Sequence, residues 1–440
     1  MSYKNLIQLS RNKTWLFVAL FFSCATVRNS RPVSPILVIE NVNVVDVVEG
    51  KILPAQDVAV KDKIIYFIGD SFAEPVSSNT IYIDGSGKFL SPALWDMHFH
   101  LCWDPNNDTL LFPILIKNGI SAIRDMGGSL QIMRRFKEQV KKGEIIGPDI
   151  YGAGPMIDGN PPVYVDFSMP ADDQTNMTAA LDSLRKNGAD FFKTYSLINE
   201  TQLREISAYC FKNKVSFAGH LSEYIEPEIS INLGQKSIEH LNRLDDIWRS
   251  NKIRLDSIGN LMIANNTFLC PTLIIYQLKT RIRDSSMINR DYARYISPSL
   301  MAEWKALWKK RSERHTKLAN WKELDTTFLS QMALVNRLGK MGVMILAGTD
   351  FAGMPFVYPG ISLHQELGLL VESGLSNYEA LKTATINPAI FMSQQRHYGS
   401  ISLGKYADML LLEKNPLEDI AHTKTIDLVI LKGEIQFNNN

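Results

Sequence analysis

Cysteine is scarce in this chain, with four among 440 residues, at positions 24, 102, 210 and 270 and without paired spacing. That count argues against a disulfide framework and against a structural cluster of thiolate ligands. An excess of charge of one sign is also missing, because 47 basic residues face 46 acidic ones. Nucleic acid and acidic membrane surfaces, which require a basic footprint, are therefore not expected partners. A small-molecule or dipeptide-sized substrate is. The longest apolar run, Trp15 to Phe22, is too short for a bilayer that needs roughly 20 apolar residues. Internal repeats and low-complexity segments are absent as well.

What is present begins with a leader. Lys4, Arg11 and Lys13 precede the apolar run, and Ser23-Cys24-Ala25 follows it, the pattern of a secretory signal over residues 1–30. Leu20-Phe21-Phe22-Ser23-Cys24 also resembles a bacterial lipoprotein box, in which Cys24 would carry a lipid anchor. Phe21 departs from that pattern, so simple cleavage after Ala25 is the alternative. Either reading places the mature chain outside the cytoplasm, in the periplasm or cell envelope.

Beyond the leader the texture changes twice. Short β-rich runs such as Ile36-Leu37-Val38-Ile39 and Val58-Ala59-Val60 fill residues 33–90, and the same texture returns over 396–440. Both chain ends are expected to pair into one small β-sandwich. Between them, over 91–395, apolar strands alternate with helical segments, which predicts parallel βα units. Candidate strands fall at 93–101, 119–125, 148–154, 189–195, 215–221, 236–241, 267–275 and 343–349, the number needed for a closed (β/α)8 TIM barrel. Residues about 276–340 are charged and Trp-rich with helical periodicity. They read as a helical insertion, serving as a lid, a specificity element or a contact in a homo-oligomer.

Chemistry in such barrels sits at the C-terminal ends of the strands. The first candidate strand ends in His98-Phe99-His100, whose alternation puts both imidazoles on one face. Two imidazoles there can grip one zinc-like cation at about 2.0–2.1 Å. Alone, the pair reads equally well as two incidental histidines. The fifth and sixth strands, however, end at His220 and His240, and the eighth at Asp350. The fourth places Lys193 in an apolar run, where an ammonium is costly unless neutralised or paired. Coincidence is a weak account of the set. Tyr195 shares the face of Lys193 and Tyr151 closes the third strand, so both are candidate substrate-binding groups. Asp125 and Cys102 read as structural, and His364 as a minor neighbour of the site.

Jointly these residues resemble the amidohydrolase superfamily, and within it the imidazolonepropionase-like and prolidase-like metal-dependent hydrolases. The resemblance extends to Ser237-Ile238-Glu239-His240, Gly348-Thr349-Asp350, Ala380–Ala389 and Gly399–Asp408. It implies a carboxylated Lys193 bridging two divalent metal ions, zinc by preference. His98, His100 and Asp350 would hold one metal and His220 and His240 the other. It further implies that a metal-bridging hydroxide attacks an amide carbonyl while Asp350 takes and returns the proton. In the single-metal branch, which holds cyclic amidohydrolases and deaminases, the His240 position acts on the water or carbonyl. The implied activity is hydrolysis of a C–N amide bond in a dipeptide or N-acyl amino acid. An exported metal-binding protein without turnover is the non-enzymatic alternative.

Overall fold

The computed structural model describes residues 36–73, 79–282, 284, 290–318 and 320–439. The expected leader over 1–30, with Cys24, lies outside the described residues.

The first described elements are a meander of strands Leu37–Asp46, Lys51–Lys61 and Ile64–Gly69. Its first strand is flanked on the other side by Phe89–Pro92, running parallel to it. Phe89–Pro92 then pairs antiparallel with Met409–Leu412, and Ile426–Leu431, Glu434–Asn438 and the short strand Ile81–Asp84, parallel to the first strand, complete an eight-stranded sheet. Ile65 and Ala407 also exchange backbone bonds with Lys405 and Lys63, bringing the far edge of the meander back to the C-terminal strands. Both chain ends thus build one β-domain, as the sequence texture predicts.

The period of two along Met409–Leu412 explains how this domain is attached. Met409 and Leu411 pack with Ile39, Val44, Val58 and Leu90 inside the β-domain. Leu410 and Leu412 point the other way, into the core that carries the helices. One strand therefore belongs to two cores.

The central region is a (β/α)8 barrel. Strands Leu94–Phe99, Ile120–Asp125 and Asp149–Gly152 are parallel neighbours, and Phe192–Thr194, Phe217–Gly219, Ser237–Glu239 and Phe268–Cys270 continue the order. A backbone bond from Asp190 to Gly152 joins the third strand to the fourth, and Tyr195 bonds to Ile157 in the short strand Met156–Gly159 that follows the third. An eighth segment around Ile345 bridges Leu269 on one side, and Met97 donates to Ala347 on the other. That closes the ring. Trp95, Met97, Ala122, Phe268, Cys270 and Leu346 fill its interior.

Two details depart from the expected spans. The seventh strand ends at Cys270 rather than 275, and a helix, Leu273–Thr280, follows at once. The buried Glu366 carboxylate accepts the Leu273 and Ile274 N–H groups at 2.9 and 2.7 Å, which satisfies the opening turn of that helix. The register between the first two strands also slips between Asp96 and Phe99. A bulge of this kind re-aims the side chains that follow it. Helices Arg290–Ala293, Pro298–Leu318 and Trp321–Met341 occupy the expected insertion. No helix among the described residues is long and apolar enough to cross a membrane.

Candidate active site

The six residues singled out at strand ends meet at one mouth of the barrel. The Asp350 Oδ1 atom lies 3.3 Å from His98 Nε2 and 3.2 Å from His100 Nε2. Lys193 Nζ is 3.4 Å from the same His98 nitrogen. The His240 ring is centred 4.6 Å from that of His98 and 4.8 Å from that of His220. Candidate donor atoms of His98, His240 and Asp350 all fall within 4.8 Å of one another.

Each imidazole is oriented by its Nδ1 edge. His98 Nδ1 is 2.8 Å from Glu239 and His100 Nδ1 is 3.1 Å from the Gly127 carbonyl. His220 Nδ1 meets Ser196 Oγ at 3.1 Å and His240 Nδ1 meets Thr272 Oγ1 at 2.6 Å. The Nε2 edges are left for the centre. His220 Nε2 is buried and makes no hydrogen bond among the described residues, an orphan whose burial is costly unless a cation or donor faces it. Second-edge bonds of this type fix ring orientation and tautomer in metal-binding histidines.

The backbone is bent to achieve this. His240 and Asp350 take left-handed conformations, with φ of 64° and 60°, which cost L-residues about 1–3 kcal/mol each. Asp350 is held there by its N–H, which donates to the His98 carbonyl at 2.7 Å. Gly219, at φ 146°, approaches so closely that a Cβ would stand 2.0 Å from the Thr194 carbonyl oxygen. The residue after that glycine is His220. Gly348 plays a similar part between His98 and Cys270, where a Cβ would meet each at 2.7 Å.

Burial sets the electrostatics. It holds His98 and His220 well below the ordinary histidine pKa and His240 down at about 3, so all three imidazoles are neutral donors. Burial also lowers the Lys193 amine to about 8, despite opposing pull from Glu239 and Asp350. For Asp350 burial pushes upward, but His240, His100 and Lys193 together hold the carboxyl below its usual range.

Sequence reasoning passed over the layer behind these groups. Glu239 accepts two bonds from Arg124 Nη2, at 2.8 and 2.9 Å, besides the contact with His98. Asp96 accepts the Thr349 N–H and hydroxyl at 3.0 and 2.7 Å, pinning the eighth segment to the first strand. Charged residues inside apolar strands were the available signal, the one that singled out Lys193. His98, Glu239 and Cys270 also cluster, but burial keeps the Cys270 thiol protonated and Arg124 already occupies Glu239.

The two tyrosines part company. Tyr195 stays at the mouth, its ring 4.0 Å from that of His220 and 5.4 Å from Lys193 Nζ. Tyr151 does not reach the histidines. Its ring stacks on Trp95 at 5.4 Å in the barrel filling, beside Tyr398, because alternation along Asp149–Gly152 turns it into that layer. His364 is likewise elsewhere, bonded to Thr423 and the Asn118 carbonyl. Asp125 caps the turn after its strand by accepting the Cys102 and Gly127 N–H groups. The mouth is instead walled by aromatics absent from the sequence reading, with Trp103 stacked between His100 and Phe167 and Tyr164 edge-on to Tyr195.

The chain is 22% identical to ochratoxinase of Aspergillus niger over 438 aligned positions, which cover 84% of this chain and 80% of that one. The solved structure of the A. niger ochratoxinase superposes with a TM-score of 0.68 at 19% identity, over 92% of this chain and 96% of that chain. A solved Xaa-Pro dipeptidase with methionine bound in its active site gives a TM-score of 0.70 at 19% identity, over 92% and 100%. Residues 89–436, which include every strand-end group described above, match the profile of the Amidohydrolase family. The chain belongs to that family.

Proposed function

We propose that the protein hydrolyses the C–N amide bond of a dipeptide or N-acyl amino acid at a centre holding two divalent cations, zinc by preference. The observation carrying this reading is the buried Lys193 amine turned onto His98 Nε2, beside Asp350 and within a ring of four neutral or oriented imidazoles. Burial works against an ammonium here and outweighs the attraction of Glu239 and Asp350. A neutral amine can add carbon dioxide and lose one proton to become a carbamate, which would help to hold two cations, and burial favours that neutral form. His98, His100 and Asp350 would hold one cation and His220 and His240 the other.

Bound cations would acidify a water and polarise the scissile carbonyl. Asp350, whose carboxyl is held below its usual range by its neighbours, accepts the proton of the attacking water and returns it to the leaving amine. Tyr195, over the Lys193–His220 edge, is placed to donate to a substrate oxygen. The aromatic wall of Trp103, Tyr164 and Phe167 excludes water and takes an apolar acyl group. The fold shared with a Xaa-Pro dipeptidase puts dipeptides among the substrates to try first.

A one-cation centre is the second reading, favoured by the convergence of His98, His240 and Asp350 within 4.8 Å. Elemental analysis of the purified protein and of Lys193→Ala separates the two. About two equivalents falling to one or none in the variant supports the bridged centre. One equivalent indifferent to Lys193 moves the assignment to the cyclic amide and deaminase class. Two equivalents without hydrolysis across dipeptide, N-acyl amino acid and cyclic amide panels would leave only a metal-binding protein.

A further inference from the structure

Two cations at the barrel mouth have no anionic partner among the described residues. Lys279 is on the helix Leu273–Thr280, directly after the seventh strand, and its Nζ sits 4.5 Å from the Tyr276 ring centre. The Tyr276 hydroxyl accepts the N–H of Leu241, the residue after His240, at 2.9 Å, which fixes this ring beside the sixth strand end. Arg311 comes from the helix Pro298–Leu318. Its guanidinium lies against the Met354 sulfur, four residues beyond Asp350. The same helix is fastened over that loop by Trp304, whose indole N–H donates to the Ala352 carbonyl at 3.4 Å, and by Trp308, centred 4.8 Å from Phe356.

Neither cation has a carboxylate within ion-pair distance among the described residues, and their contacts are an aromatic face and a thioether. Both are nevertheless partly desolvated: burial lowers the Lys279 amine to about 8 and depresses Arg311. The acid whose field Lys279 feels is Asp350, and Tyr164 feels both Asp350 and Arg311. Desolvated cations are normally paired. A pair left open at the rim of a reaction centre is complementary to an anion that arrives with the substrate.

We infer that Lys279 and Arg311 bind a substrate carboxylate on the leaving-group side of the scissile amide. This rests on the amide-hydrolase reading and narrows it. The substrate would carry a free carboxylate on the residue released as the amine, and amidated or esterified analogues would be discriminated against. The planar guanidinium can hold both carboxylate oxygens while the lysine serves as a point charge. The helical insertion is then a specificity element that delivers Arg311.

The test uses 3-benzoylpropionate, a non-cleavable ketone analogue of N-benzoylglycine, and its primary amide, titrated calorimetrically into the metal-loaded full chain. The carboxylate is expected to bind at least about tenfold tighter than the amide. Lys279→Met and Arg311→Met should each lose about 10- to 100-fold for the carboxylate and little for the amide, while Lys279→Arg keeps part of the preference. Melting temperature and metal content, unchanged in the variants, confirm that they are folded and loaded. Equal affinity for acid and amide, or a preference that survives both methionine variants, overturns the inference. In parallel, N-benzoylglycine hydrolysis by the variants should show a raised KM with kcat nearly kept. A carboxylate preference lost in the variants, without hydrolysis of any amide tried, would uphold the anion site and instead refute the amide-hydrolase reading.

Discussion

Arg124 and Glu239 offer a quantitative test of how the histidine shell is supported. Both are fully buried, and the guanidinium also donates to the Met97 carbonyl at 2.6 Å and to Ser237 Oγ at 2.9 Å. Glu239→Gln removes the charge opposite Arg124 and strands a buried cation, at a cost of about 3–5 kcal/mol. Arg124→Met strands the carboxylate at similar cost and additionally leaves the Met97 carbonyl without its donor, adding about 1–3 kcal/mol. The double variant removes both charges and keeps only the orphaned carbonyl. It should therefore lose about 1–3 kcal/mol, less than either single change. Urea unfolding of metal-free protein, followed by tryptophan fluorescence, gives the cycle. Single effects that add to within about 0.5 kcal/mol in the double variant would refute the claim that these charges depend on one another. Metal titration provides a second readout, because Glu239 steadies the Nδ1 edge of His98. Glu239→Gln should weaken metal affinity about 10- to 100-fold.

Thr272→Val deletes the hydroxyl that fixes His240 without changing volume, and should lower metal affinity or turnover about 10- to 100-fold, with Thr272→Ser close to the parent. Gly219→Ala forces a Cβ onto the Thr194 carbonyl, so it should lower the melting temperature and abolish activity by displacing His220, whereas Gly368→Ala, which meets nothing within 4 Å, should be neutral or stabilising. The histidines also give stability a direction with pH. His240 is neutral in the folded protein down to about 3, whereas the unfolded chain protonates its histidines near 6.5. Unfolding thus takes up protons between those limits, and metal-free protein should lose stability steadily as pH falls from about 6.5 toward 3. His240→Gln should show a shallower fall in urea midpoint over that window, and an identical slope would contradict the assignment.

Much of the architecture was legible because its signals are periodic. Alternating apolar runs at both chain ends and strand–helix alternation between them lead to the composite sheet and the barrel. The six strand-end residues were legible because a lysine in an apolar strand and histidines at successive strand ends are rare events with a common explanation. What escaped was non-periodic. Alternation cannot foresee the slipped register after Asp96, and no local pattern marks the left-handed backbone at His240 and Asp350. Nothing local stops the seventh strand at Cys270, because its end depends on Glu366, more than ninety residues away. Tyr151 was misplaced for a simpler reason: closeness to a strand's C-terminal end does not say which barrel layer a side chain enters. Lys279 and Arg311 are ordinary helical charges in sequence, and their missing partners become visible only in three dimensions.

The strand shared by both cores has a consequence for biosynthesis. Residues 37–69 can form a hairpin meander soon after they are made, but Phe89–Pro92 pairs antiparallel with Met409–Leu412. Lys88 must likewise wait for Asp427, 339 positions away. Until residues 409–412 have emerged, that sheet keeps an open hydrogen-bonding edge, the kind of surface on which nascent chains associate wrongly. Completion is consequently a late, long-range event. A ribosome stalled before residue 409 would present a strand still waiting for its mate, and shortening the C-terminus would harm the N-terminal strands before it touched the reaction centre.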